Sequence, residues 1–268
     1  MKGNVVFSII TICYNSSQTI ERTIKSVLNQ SFTDFEYIIV DGGSHDSTLD
    51  IIRKYQNSFG DRLIWKSEPD KGIYDAMNKG INISNGVIVG IVNSDDWLED
   101  NALENVYKVY VEHHNDENAL YCGGINFHTK KGKCHILMPN ISLFKRSASI
   151  FVMKGIRHPA TFVPLKVYNR IGTFDSSFSI LADTDFILRA YYQKVHVIEI
   201  PFVISNMSDG GISNALTWKS GMKSFKDKKK MLAKFDISTV KRIVLLFHAA
   251  LIIITKRLMK FNPYIKHA

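Results

Sequence analysis

Val87–Trp97 reads VIVGIVNSDDW. Six apolar or small residues run without a break, and the chain then turns to Asn93, Ser94, Asp95 and Asp96. An unbroken β-branched run is the pattern of a strand buried on both faces. Two earlier segments end the same way: Val5–Cys13 runs into Tyr14-Asn15, and Phe35–Val40 into Asp41-Gly42-Gly43-Ser44. Helical patterns lie between them. Ser17–Asn29 carries Ile20, Ile24, Val27 and Leu28 at helical spacing; Thr48–Tyr55, Ile73–Ile83 and Ala102–His113 follow, with a brief strand at Leu63–Trp65. Buried strands alternating with helices predict an α/β fold, a mostly parallel sheet with helices on both faces. Ligands of such sheets sit beyond the carboxyl ends of the strands, which makes the polar residues at those ends the first candidates for a site.

The second half is less regular. Leu120–His128 and Lys133–Met138 read as a hairpin across Thr129–Gly132, Phe186–Tyr192 as a helix, and Val195–Ile200 as a strand stopped by Pro201. Composition sets the outer bounds. The 268 residues are 45% hydrophobic and 22% charged, which excludes disordered, collagenous and coiled-coil classes. Cys13, Cys122 and Cys134 are too few and scattered for a disulfide framework or a zinc site. With no secretory pattern in the opening residues, a reducing, cytoplasmic setting is expected.

Asp95-Asp96 offers hard oxygen ligands at a strand end, suited to Mg²⁺ or Mn²⁺ that also binds phosphates. The same pair would serve as acidic residues ahead of the helix from Ala102. Gly42 and Gly43 permit close backbone approach to a ligand. No Gly-Lys-Ser/Thr or G-x-G-x-x-G follows, so this is neither a P-loop nor a dinucleotide fingerprint. A tight turn with Asp46 or Ser47 capping the next helix is the plainer alternative.

Taken in order, FSIITICYN (Phe7–Asn15), SVLNQ (Ser26–Gln30), YIIVDGGS (Tyr37–Ser44), EPDKGIYDAMNKG (Glu68–Gly80) and GIVNSDDW (Gly90–Trp97) resemble the start of family 2 glycosyltransferases. HPATF (His158–Phe162), IGTFD (Ile171–Asp175) and ADTDFILR (Ala182–Arg189) resemble the acceptor half of that family, in its bacterial branch for capsule, exopolysaccharide or O-antigen synthesis. The resemblance covers about residues 5–213. It implies a GT-A fold, with a nucleotide-binding half (about 1–115) and an acceptor half (116–215). It implies that Tyr14 and Asp41 meet the nucleotide base, Asp41 by accepting a base N–H. Asp95 falls near the ribose and sugar, Asp96 on the metal, and Asp70 and Lys71 beside the donor. Asp183 falls at the catalytic base. The family's Asp-x-Asp has Ser94 at its first position here, and Ala182 replaces the usual Glu before the base. Asp185 reads as a helix cap or as the rival base. Trp97 and His158 are weaker acceptor-side candidates, each with a packing alternative. Asp209–Ser213 resembles a family loop near the donor phosphates, either a lid or a turn. The implied reaction is inverting transfer of a sugar from a nucleoside-diphosphate sugar, UDP most readily, to a glycan or lipid-linked acceptor.

Residues 216–268 read as a helical, basic extension. From Lys219 to Lys266 thirteen basic residues face only Asp227 and Asp236, a net +11 within a chain of net +9. Ile243–Thr255 is a largely apolar run of thirteen residues, interrupted by His248, between Lys241-Arg242 and Lys256-Arg257. That is short of the about 20 residues a spanning helix needs, and points to a membrane-surface helix, with packing on the main domain as the alternative. The enzyme is then expected at the inner face of the cell membrane. No nucleic-acid motif accompanies the basic charge. A nucleotidyltransferase would carry a Gly-rich basic loop after the first strand, where this chain has Tyr14–Gln18. A non-catalytic sugar-binding partner would have lost Asp41, Asp96 or Asp183, and all three are present.

Overall fold

The computed structural model describes residues 5–151, 154–209 and 218–261. Strands β1 (Phe7–Cys13), β2 (Phe35–Asp41), β3 (Leu63–Ser67) and β4 (Ile88–Ile91) form a parallel block in the order β3-β2-β1-β4. Helices α1 (Ile20–Leu28), α2 (Thr48–Phe59) and α3 (Ile73–Asn82) make the crossovers. The unbroken apolar runs are explained by alternation. On β1, Phe7, Ile9 and Cys13 face one core, and Ile10 and Ile12 face the other. The first core is closed by Ile20, Ile24 and Val27 of α1, Ile52 and Phe59 of α2, and Leu103 and Val106 of α4 (Ala102–Glu112). The second is closed by Tyr74, Met77 and Ile81 of α3 together with helices of the acceptor half.

Beyond β4 the sheet becomes mixed. Strand β8 (Thr161–Pro164) inserts antiparallel between β4 and β6 (Ala119–His128), and β9 (His196–Ser208) runs parallel to β6. The edges are β5 (Trp97–Leu98), antiparallel to β9, and β7 (Cys134–Leu137), which pairs with β6 as the hairpin pattern implies. The close fit of β4 and β8 depends on Gly90. A Cβ there would stand 2.4 Å from the Phe162 ring.

Pro201 does not stop its strand. Strand β9 continues to Ser208, and the register jumps between the pairs Cys122↔Glu199 and Gly124↔Val203. The extra residues bulge out around Pro201, where the missing N–H costs no ladder bond.

Helices α5 (Ile141–Ala148), α6 (Leu165–Ile171) and α7 (Ala182–Tyr192) cover the second core. Helix α7 starts four residues earlier than the pattern from Phe186 implies. Helix α8 (Trp218–Ala233) belongs to this body, because its Met231 and Leu232 are fully buried in the same core. The basic extension is thus two structures: α8 is inside the fold, and α9 (Thr239–Phe261) lies along its surface.

Candidate active site

The carboxyl ends of β1, β2 and β4 meet as a knitted set of loops. Asn15, with φ of 48° in the left-handed region that Asn tolerates, donates its N–H to Ser44 Oγ at 2.7 Å and accepts from the His45 N–H at 2.9 Å. Ser17 N–H donates to Asp46, and the Ser16 and Ser94 hydroxyls lie 2.9 Å apart. Ser94, at the first place of the Asp-x-Asp pattern, therefore ties the β4 loop to the β1 loop.

Asp41 is fully buried at the end of β2. Its Oδ2 accepts from the Gly43 N–H (3.0 Å), the Ser44 N–H (2.9 Å) and the Ser67 hydroxyl (2.7 Å). Its Oδ1 accepts from the Ser44 hydroxyl (2.5 Å) and the Cys13 thiol (3.5 Å). Burial works against ionisation, but the Ser44 and Ser67 bonds outweigh it and hold the carboxyl below its ordinary value. A carboxylate offers about four lone-pair sites, and five protein donors already point at this one. Asp41 shapes the loop. A base N–H would share the Asp41 carboxylate with these five protein donors.

Tyr14 is exposed, and Asp70 lies close by. A Cβ on Gly42 would stand 2.4 Å from Asp70 Oδ2 and 3.5 Å from the Tyr14 ring, so the glycine is what lets the two flank the β2 loop. Asp70 Oδ1 accepts the Gly72 N–H at 2.7 Å, while Oδ2 has no hydrogen bond among the described residues. Asp70 thus offers a free acceptor oxygen on the side of the β2 loop where Tyr14 lies. Lys71 is exposed, and its N–H donates to Asp75.

Asp96 is 2% exposed at the end of β4. It accepts from Asn93 Nδ2 at 3.1 Å and from the Ser208 N–H of β9 at 3.3 Å. Burial, reinforced by neighbouring Asp95, pushes its carboxyl up to about 7. Arg22, on α1, donates to the Asp95 carbonyl at 2.8 Å and lies 3.6 Å above the Trp97 ring. His128 also stacks on that ring at 4.9 Å, so Trp97 is engaged by two protein groups. Nothing in the local sequence marks Arg22 as part of the site. It is recruited only when α1 packs beside the β4 loop.

The residues fit a hard divalent cation. Beside Asp96, the buried Asn93 Oδ1 has no hydrogen-bond partner, and a buried carboxylate with a raised value is stabilised by nearby positive charge. No group of three His, Cys, Asp or Glu ligands exists among the described residues, so oxygens of a bound phosphate ligand would complete the shell.

Asp183 sits in the first turn of α7. Its Oδ1 accepts the Thr184 N–H at 2.7 Å and, at the long distance of 3.5 Å, the hydroxyls of Thr184 and Tyr74. Oδ2 takes no hydrogen bond among the described residues. Burial raises the carboxyl, and His158 pulls the other way; burial likewise lowers His158, with Asp183 opposing. Asp185 has a different role from either one read in the sequence. It is wholly buried and bridges Arg189 (2.8 Å) and Lys234 of α8 (3.0 Å), so it is neither a cap nor an available base.

Three residues of two helices, α3 and α8, hold the loop before Asp183. Asn78 of α3 bonds both the N–H and the carbonyl of Phe174. Tyr74 donates to the Ile180 carbonyl at 2.5 Å. Asp227 of α8 accepts the N–H groups of Ser179, Ile180 and Leu181 on one oxygen, at 2.9, 2.7 and 3.2 Å. Tyr74 and Asp227 lay outside the sequence candidates. Tyr74 stands inside a quoted motif only four residues after Asp70, so one short segment links the donor-side loop to Asp183. The Asp209–Ser213 loop lies outside the described residues beyond Asp209.

Comparison with known proteins gives the family and the fold. The model of "Glycosyl transferase family 2" matches residues 8–133. A PGL/p-HBAD biosynthesis glycosyltransferase of Mycobacterium tuberculosis is 30% identical over 240 residues, covering 88% of this chain and 90% of the relative. Among solved structures, S. aureus TarS 1–349 in complex with UDP-GlcNAc aligns with a TM-score of 0.67 at 21% identity, covering 96% of this chain and 73% of that one. The mannosyltransferase PcManGT of Pyrobaculum calidifontis, in complex with GDP-Man and Mn²⁺, aligns at 0.62 and 17% identity, covering 93% of this chain and 70% of that one. The two structures share the GT-A architecture of a mixed sheet flanked by helices, and the identity and coverage of the mycobacterial relative show that this chain belongs to glycosyl transferase family 2.

Proposed function

We propose that the chain transfers a hexosyl or N-acetylhexosaminyl group from a nucleoside-diphosphate sugar, UDP most readily, to a hydroxyl of a glycan or lipid-linked acceptor. The anomeric configuration inverts. The reaction serves bacterial surface polysaccharide synthesis at the inner face of the membrane. One observation carries the reading. Asp183 keeps one carboxylate oxygen without a hydrogen-bond partner among the described residues while Asp185, two residues on, is locked between Arg189 and Lys234. TarS binds UDP-GlcNAc, and PcManGT binds GDP-Man with Mn²⁺, both donors of this class.

A sugar hydroxyl is a weak nucleophile near neutral pH. Asp183 Oδ2 takes its proton as the acceptor oxygen bonds to the anomeric carbon and the bond to the diphosphate oxygen breaks. Such a base contributes about 10²–10⁴-fold, and a raised carboxyl works better near neutrality than an ordinary one. The Thr184 N–H holds Oδ1 and leaves Oδ2 for the acceptor, while Tyr74 fixes the lead-in loop through the Ile180 carbonyl. Tyr14 stacks against the base, Asp70 Oδ2 accepts from the base or ribose, Lys71 lies by the phosphates, and Asp95 faces the sugar. Asp96 and Asn93 Oδ1 would hold Mg²⁺ or Mn²⁺, which supplies Lewis-acid stabilisation to the departing diphosphate. Trp97 and His158 line the acceptor side.

The test is a panel of UDP- and GDP-sugars with Mn²⁺, read as nucleoside diphosphate released and as heat protection. A UDP-sugar is expected to protect the protein and to turn over. Protection by every donor without turnover in the presence of acceptor lipid extract would favour a non-catalytic binding partner instead.

A further inference from the structure

Helix α9 is apolar on two sides. Leu245 and Leu246 pack on the second core, and Ile253 meets Gly221 of α8, where an added Cβ would stand 3.0 Å from it. The opposite side carries Val240, Ile243, Val244, Phe247 and Leu251, all exposed, with Val240 and Phe247 each 72% exposed. The spacing 240, 243, 244, 247, 251 is one continuous helical stripe. A soluble helix ordinarily turns polar residues to that side, and a contiguous apolar surface marks an interaction site.

From this stripe we infer that α9 lies flat on an anionic lipid surface, with Val240, Ile243, Val244, Phe247 and Leu251 entering the headgroup–acyl boundary. Charge selects the occupant. Lys241 and Arg242 fall beside the stripe on the body side, Lys241 donating to the Ser149 carbonyl at 3.2 Å, while Lys256 and Arg257 follow the stripe and the segment from Lys219 to Lys266 carries a net +11. Two such faces repel each other in a self-complementary dimer, whereas an anionic leaflet attracts every basic residue near it. No helix among the described residues is long and apolar enough to cross a membrane, which leaves the interfacial mode for this apolar face. The geometry also gives docking a consequence. Helix α9 packs on α8, and α8 carries Asp227, which holds the loop before Asp183. The inference rests on the reading of a lipid-linked acceptor above only for its biological sense; the surface itself is tested without turnover.

The experiment is sedimentation of the full chain with vesicles of phosphatidylglycerol and phosphatidylcholine, and with phosphatidylcholine alone, at low and high salt. The full chain is expected to sediment with the anionic vesicles at low salt and to be released by high salt. The double variant Ile243→Glu/Phe247→Glu is expected to bind at least about tenfold more weakly with unchanged affinity for UDP. Val244→Ser/Phe247→Ser, which adds no charge, is expected to show a smaller loss in the same direction. A full chain that stays in the supernatant, or variants that sediment like the parent, overturns the proposal. A lipid-free dimer by analytical ultracentrifugation that the Glu variant dissociates also overturns it, and assigns the stripe to a second copy. Vesicle binding without nucleotide-sugar turnover in any sample supports the surface and counts against the transferase reading alone.

Discussion

Asp96 stands where a parallel strand ends, and Asp41 likewise; Asp183 stands in the first turn of a helix whose lead-in loop is pinned from two other helices. In the donor half, Asp41 is the last residue of β2 and Asp96 lies in the short loop after β4. The place of each is set by the strand's register and by neighbours in adjoining loops. In the acceptor half, Asp183 depends on Tyr74 and Asn78, about a hundred residues earlier, and on Asp227, about forty residues later. The strand ends bring the first kind of carboxylate to one edge of the sheet, and bonds from neighbouring strands, with one from Ser208 of β9, then fix it. The second is assembled from distant parts, so it is more exposed to damage far from the reacting atoms.

The largest expected effect tests the acceptor half directly. Asp183→Asn is nearly isosteric but cannot take the acceptor proton. Transfer should fall by about 10²- to 10⁴-fold, with donor affinity kept within a few-fold. Steady-state kinetics beside calorimetric donor binding measure the split. Near-normal transfer would remove the base from this helix and break the contrast.

Next is Asp185→Ala, which leaves Arg189 and Lys234 without their buried partner. We expect a loss of about 3 kcal/mol in denaturant unfolding, with the folded fraction still turning over. If instead this variant were fully stable and inactive, the roles of the two aspartates would be exchanged.

Asp227→Ala strands three N–H groups just ahead of α7 and should cost about 2 kcal/mol. Because it acts through the Asp183 loop, kcat should drop more than the donor KM changes at temperatures where the variant is folded. Equal loss of donor binding and kcat would show only a general weakening. Removal of residues beyond Lys219 should be worse still, since it deletes Asp227, Met231 and Leu232 together. Residues 216–268 are therefore an extension of the body only from α9 onward.

The smallest effect tests the donor half. The Asp96 carboxyl titrates near 7 when folded, against about 3.9 in an unfolded chain. Between those values the folded protein holds the extra proton, so this group's contribution to stability falls as pH rises from about 4 to 7. Donor binding with Mg²⁺ runs the other way, because it needs the ionised form. Affinity at pH 6 should be about tenfold below that at pH 8, and EDTA or Asp96→Asn should flatten the profile. Calorimetry at the two pH values decides it, and an unaltered profile in the variant would take Asp96 out of the cation's shell.

Much of the donor half was readable in order along the chain. The β1, β2 and β4 runs, the helices between them and the acidic strand ends are local patterns, and a parallel sheet brings such ends to one edge wherever the crossovers are regular. The hairpin of β6 and β7 was readable for the same reason. Pro201 misled because a bulge is a property of two strands in register, and one strand's sequence does not state it. Asp41 was found, but the use of its two oxygens was not, since Ser67 and Cys13 reach it from other strands.

By itself the sequence determined the α/β class, the family motifs and the candidate carboxylates, because strand burial and helical periodicity are written within about ten residues of chain. The tertiary structure alone decided that Asp185 is an ion-pair residue, that Arg22 and Tyr74 belong beside Asp96 and Asp183, and that α8 is core while α9 is surface. Apart from the Asp185–Arg189 pair within α7, these depend on which groups meet across more than forty residues of chain. A side chain's exposure and partners are set by the packing of whole elements, which a residue's own neighbours in sequence do not encode.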